Sequence, residues 1–118
     1  RLRDRASAAG ISLMGGSLVP IRPLSYPDMV LLVSHARSVL TDSGGLQKEA
    51  FSLGVPCTTL RTETEWVETL EGGWNLLAPD AVGLQRLALR DRPSGERVQY
   101  FGDGHAASMV VAALTSSA

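Results

Sequence analysis

A chain of 118 residues has room for one domain, and 44% hydrophobic content is ordinary for a sequence that buries a single core. Eleven Lys+Arg against 12 Asp+Glu leave no basic field for nucleic acid and no cationic patch for an acidic membrane, so a bound anion must be held locally. The longest apolar runs, residues 29–33 and 109–114, fall far below the ~20 residues needed to cross a bilayer. Charged residues at positions 1–5 with no apolar stretch after them, and a single cysteine, Cys57, with no internal partner, lead us to expect a reducing, cytoplasmic setting.

In chain order, short β-branched runs alternate with helical stretches, the pattern of a mainly parallel sheet covered by helices. The fold class is therefore α/β. Residues 1–9 read as a helix stopped by Gly10, and 17–21 as a short strand ending before Pro23. Ser25 is placed to cap a helix with Pro27 in its first turn and Tyr26, Met29, Val30, Leu32 and Val33 on its apolar side. A strand at 38–41, a helix at 45–53 stopped by Gly54, and a strand at 55–60 follow. Residues 65–70 read as a short helix closed by Gly72 and Gly73, 75–78 as a strand, and Asp80 as the cap of a helix through Leu89. A polar loop at 90–99 and a turn through Gly102, Asp103 and Gly104 lead into a final helix at 104–114.

The informative stretch is 39–49, V-L-T-D-S-G-G-L-Q-K-E: an apolar strand, a polar glycine turn, then a helix. At a helix start the first N–H groups lack intrahelical partners and the macrodipole is positive, so a phosphate can accept several bonds there. Gly44 and Gly45 would let a ligand approach the backbone, and the Ser43 hydroxyl adds a donor. Glu49 follows Ser43 by six residues, about 9 Å along a helix, which suits a carboxylate accepting from ribose hydroxyls while a diphosphate sits at the turn. Two plainer readings stand beside this one. A tight strand-to-helix reversal uses Ser and Gly without any ligand, and Asp42 or Glu49 can be simply a cap and a solvated helix residue beside Lys48.

Several ordered motifs make the resemblance specific: T-D-S-G-G-L-Q-K-E-A at 41–50, L-G-V-P at 53–56, Arg61, Thr64 with Glu65, and G-D-G at 102–104. Together they resemble the C-terminal domain of the non-hydrolysing UDP-N-acetylglucosamine 2-epimerases, over nearly the whole chain. The resemblance implies residues 1–118 as a partial UDP-binding C-terminal domain of a two-domain, glycosyltransferase-B-like protein of cell-surface polysaccharide biosynthesis. It implies UDP or a UDP-N-acetylated amino sugar as ligand, with Ser43, Gly44 and Gly45 at the diphosphate, Glu49 at the ribose, and Met29 and Arg61 as further contacts. It also implies inversion at C2 by elimination and re-addition of UDP, with no cofactor. Donors around the phosphates would then stabilise the charge developing on the departing UDP.

The sequence departs from that family pattern in three places. An arginine expected after Thr64 and Glu65 is Trp66, a form that resembles, with Gly73, Trp74 and Asn75, the branch acting on modified UDP-sugars such as diacetamido uronic acids. Met29 stands where the family places a phenylalanine against uracil, and the segment before the last glycine turn ends in Tyr100 and Phe101 without a proline.

Catalytic carboxylates in this family belong to the N-terminal domain, so no catalytic residue is assigned here and turnover is expected to require that domain as a partner. His35 and His105 read as surface or capping residues, and the two histidines and one cysteine form no metal-ligand spacing. Without the upstream strands of such a domain, an exposed sheet edge would favour self-association into a homo-oligomer or pairing with a partner segment. Two other functions fit the same turn: the UDP-binding half of a glycosyltransferase-B enzyme, and a non-catalytic nucleotide-sugar-binding remnant.

Overall fold

A computed structural model describes residues 2–116. Helix α1 (Leu2–Ala8) is followed by α2 (Tyr26–Ser34), β1 (Val39–Thr41), α3 (Gly44–Ser52), β2 (Cys57–Thr59), a 3-10 segment (Val67–Gly73), β3 (Asn75–Leu77), α4 (Leu84–Ala88) and α5 (Ala106–Ser116). The strands form one parallel sheet in the order β1-β2-β3, with Val39, Cys57 and Asn75 in register across it. This is the expected α/β class. Because all three strands run the same way, the turn after β1 and the loop after β2 emerge side by side at one edge.

The core forms where α2 and α3 lie against that sheet. Val33, Val39, Ala50, Val55 and Cys57 pack together, with Met29, Leu46 and Leu53 against them. Ser25 starts α2 as expected: its hydroxyl accepts from the Asp28 N–H at 3.4 Å, with Pro27 in the first turn. Helix α3 ends as its sequence requires. Gly54 takes φ 67°, its N–H donates to Phe51, and the Val55 N–H donates to Ala50, closing a Schellman motif. Arg97 donates to the carbonyls of Phe51 and Ser52 at 2.7 and 2.9 Å, complementing the negative end of that helix.

Arg90 ties the entry of the sheet together. Its guanidinium donates to the carbonyls of Gly73, Cys57 and Trp74 at 2.7, 2.9 and 2.8 Å. Such a fork needs a planar, five-donor group.

Three local expectations are corrected. Residues 17–21 form no strand: one isolated bridge, Gly15 to Leu18, closes a turn, and Val19 and Ile21 are exposed, so their β preference finds no partner strand. The helix assigned to Asp80 begins only at Leu84, after Gly83 in a left-handed conformation, because the Asp80 carboxylate accepts from Val82 in a local turn instead. The segment expected at 65–70 is the 3-10 run Val67–Gly73, kinked at Glu71 and Gly72.

The outer helices stand away from this core. Helix α5 buries no residue, and the radius of gyration is 17.6 Å against about 13–14 Å for a compact domain of this length. Among the described residues, no helix is long and apolar enough to cross a membrane.

Candidate functional site

The turn between β1 and α3 is held from below. Ser43 is the N-cap in extended conformation, its N–H donating to Thr41 Oγ1 at 3.0 Å, and its side chain makes no cap bond. The exposed hydroxyl is therefore left for other partners, and the N–H groups of the first helical turn point outward without intrahelical acceptors. Asp42 does not take the cap position.

The two glycines of the turn differ in their surroundings. A Cβ on Gly44 would lie 2.5 Å from Glu65 Oε1 and 3.8 Å from an Arg61 Nη, whereas a Cβ on Gly45 would meet nothing within 4 Å. Gly44 is thus crowded by the loop that follows β2. Gly45 faces open space.

That loop brings Arg61 to the turn, where Arg61 Nη1 donates to Glu65 Oε2 at 3.0 Å. The loop is positioned by a buried polar network centred on Gln47. The Gln47 amide donates to the Ser43 carbonyl at 3.3 Å, while its Oε1 accepts from Thr64 Oγ1 at 2.5 Å and from the Asn75 amide at 3.1 Å. Asn75 in turn donates to Thr69 and accepts from Thr59. Gln47, Thr59, Thr69 and Asn75 are all buried, so the bonds among them form where water competes little.

Along α3 runs an open groove of about 400 Å³. Gly45, Lys48, Glu49, Ser52 and Leu53 form its floor, Tyr26 and Val30 of α2 one wall, and Phe101 the other. Of the residues marked out by sequence, Gly45 and Glu49 share this groove, Ser43 and Gly44 precede it at the helix start, and Arg61 stands beside Gly44. Met29 is elsewhere: it packs on the core cluster, while its neighbour Val30 lines the groove. Among the described residues, no bond or ion pair to a protein group engages the Glu49 carboxylate.

Trp66 is half-buried and meets Phe101 edge to face at 5.8 Å between centroids, with Lys48 Nζ 4.8 Å from each ring. It packs, and it also carries a cation on its face. Lys48 could have been found from sequence, since it falls three residues after Gly45 on the same helix side. Phe101 carried no such signal, because only folding brings it to α3. His35 is the C-cap of α2 and His105 pairs with Asp103 at 3.3 Å, both exposed. The Asp103 carboxyl is held below its ordinary pKa by the His105 N–H that it accepts.

The sequence model of the UDP-N-acetylglucosamine 2-epimerase family matches residues 1–115. The chain belongs to the UDP-N-acetylglucosamine 2-epimerase family. A UDP-N-acetylglucosamine 2-epimerase homolog of Methanococcus maripaludis is 43% identical over 100 residues, which are 80% of this chain and 27% of that protein. The UDP-2,3-diacetamido-2,3-dideoxy-D-glucuronate 2-epimerase of Pseudomonas aeruginosa is 40% identical over 93 residues, 76% of this chain and 26% of that one. The crystal structure of the Methanocaldococcus jannaschii UDP-GlcNAc 2-epimerase in complex with UDP-GlcNAc and UDP superposes with a TM-score of 0.74 at 31% identity, covering 97% of this chain and 33% of that one. The three parallel strands and their helices are thus a portion of a glycosyltransferase-B-like fold. This epimerase-family chain spans about a third or less of the length of these relatives.

Proposed function

We propose that this chain is the UDP-binding portion of an epimerase that inverts C2 of a UDP-activated N-acetylated amino sugar by eliminating and re-adding UDP. The observation that carries the reading is the sharing of one groove by Gly45 and Glu49, with the unpartnered carboxylate one helical turn beyond the open glycine. In this reading the diphosphate lies on Ser43, Gly44 and Gly45, and Arg61 faces it from the neighbouring loop. Glu49 accepts from the ribose hydroxyls. The presence of UDP-GlcNAc and UDP in the Methanocaldococcus jannaschii relative supports the same ligand class.

Helix-start N–H groups and a nearby guanidinium would act on the reaction through the leaving group. As the bond from sugar C1 to phosphate oxygen breaks, negative charge grows on the departing UDP, and donors already aimed at it lower the barrier without reorganising. Proton removal at C2 and its return on the other face need an acid and a base, and no residue of the groove is placed for both tasks. Turnover is therefore assigned to the polypeptide together with the remaining domain of the epimerase length. Contact with that domain, or with a second copy, is the role proposed for the exposed apolar side chains Leu31 and Leu32 of α2 and for the edge strand β1.

The test is equilibrium unfolding of this chain with and without UDP, repeated for Glu49→Ala. Ligand at a hundredfold excess over its dissociation constant adds about 2.7 kcal/mol to a folded state that alone binds it. Stabilisation by UDP that is lost in Glu49→Ala is expected. Equal stabilisation of both proteins would remove Glu49 from the site, and none in either would sink the reading for this chain.

A further inference from the structure

Among the described residues the groove beside α3 is lined by one cationic side chain, Lys48, and no salt bridge pairs its ammonium with a carboxylate. Glu49 shares the groove floor with it but forms no ion pair with its ammonium. The ammonium is held instead by two aromatic faces, with Nζ 4.8 Å from the centroids of Trp66 and of Phe101. These rings fix the long, otherwise mobile stem through cation–π attraction yet accept no conventional hydrogen bond, so the three N–H donors remain available. Part of the entropy cost of ordering a lysine on binding is thereby met before a ligand arrives. Lys48 also lies three residues after Gly45, on the same side of α3 and about 4.5 Å of helix rise from it.

We infer that Lys48 reads negative charge on the ligand and is a specificity-determining contact of this groove. The inference rests on the nucleotide-sugar reading above and extends it to a residue that reading does not use. The chemistry recognised is a cluster of anionic oxygens, which a UDP-sugar offers from two sources: its diphosphate, or a carboxylate on a uronic-acid sugar. The second is the sugar class named for the Pseudomonas aeruginosa relative.

Calorimetric titration of this chain with uridine, UDP, UDP-glucose and UDP-glucuronate separates the sources, using the unaltered protein, Lys48→Met and Lys48→Arg. The methionine keeps an unbranched stem against both rings and removes the charge; the arginine keeps the charge. Lys48→Gln repeats the comparison with a polar, uncharged side chain. If the diphosphate is read, Lys48→Met and Lys48→Gln weaken UDP binding by roughly fivefold, the size of a partly screened ion contact, leave uridine unchanged, and Lys48→Arg restores UDP. If the sugar carboxylate is read, the loss appears with UDP-glucuronate alone. Unchanged affinities for all four ligands, or an equal loss for uridine, overturn the inference while the nucleotide site stands. No binding of UDP to the unaltered chain overturns the site and the inference together.

Discussion

The side-chain amide of Asn75 donates to Oε1 of Gln47 at 3.1 Å, joining strand β3 to the helix that opens at the Ser43 turn. The same Gln47 oxygen accepts from Thr64, which lies next to Glu65 and three residues after Arg61. One buried amide therefore sets the distance between the helix start and the loop that faces it. The motif glutamine and the asparagine after Trp74, far apart in sequence, serve one structural purpose.

Replacing Gln47 by Leu strips the Thr64 hydroxyl and one Asn75 N–H of their acceptor inside the protein. Urea unfolding is expected to show a loss of about 2–3 kcal/mol, the cost of orphaned buried donors. The Gln47→Leu, Asn75→Leu double variant is expected to lose less than the sum of the single losses. Additive losses would mean that the two side chains act separately.

Gly45 separates binding from stability. A Cβ there meets nothing, so Gly45→Ala should leave stability unchanged or raise it by up to about 1 kcal/mol through helix propensity. It should also weaken UDP, because the methyl group occupies the approach to the backbone. Gly54→Ala should behave in the opposite way, costing about 1–2 kcal/mol for the left-handed backbone and leaving ligand affinity intact. Parallel thermal melts and UDP titrations check both.

Arg90 reaches three carbonyls with one planar group. Arg90→Met is expected to lower stability by about 2–4 kcal/mol, and Arg90→Lys to recover only part of it, since an ammonium cannot reproduce the fork. Full recovery in the lysine variant would show that charge alone matters.

Burial pushes the Cys57 thiol above its ordinary pKa of 9.0, against smaller lowering effects of the Thr59 hydroxyl and the Arg90 charge. The hydrogen bond to Glu71 raises Tyr100 likewise above 10.0. In both groups the folded state holds its proton longer than the unfolded state does. Their stabilisation is complete below the unfolded pKa values and disappears as pH rises through the folded ones. Stability measured from pH 8 upward should therefore fall, less steeply in Cys57→Ala and in Tyr100→Phe. At neutral pH a thiol reagent should label Cys57 at the rate at which the chain opens.

Much of the architecture was legible in the chain itself. Ser25 with Pro27, the polar glycine turn before α3, and Gly54 marked helix ends through local chemistry, and β-branched runs marked β1 and β2. Short segments whose form depends on neighbours were not legible. Residues 17–21 have strand composition without a strand beside them, and Asp80 satisfies a local turn before it can cap a helix. The partial burial of Met29 against the core likewise follows from how α2 is rotated and not from its place in a motif.

By itself, then, the sequence determined the α/β class, the family, and the strand–turn–helix carrying Ser43, Gly44, Gly45 and Glu49, because caps, glycine turns and helical spacing act over a few residues. Tertiary structure alone decided that Arg61 and Glu65 close on Gly44, that Gln47 and Asn75 bind each other, and that Trp66 and Phe101 hold Lys48 at the groove. Those contacts join segments distant in the chain, and the parallel order of the sheet and the burial of its polar network are what bring them together.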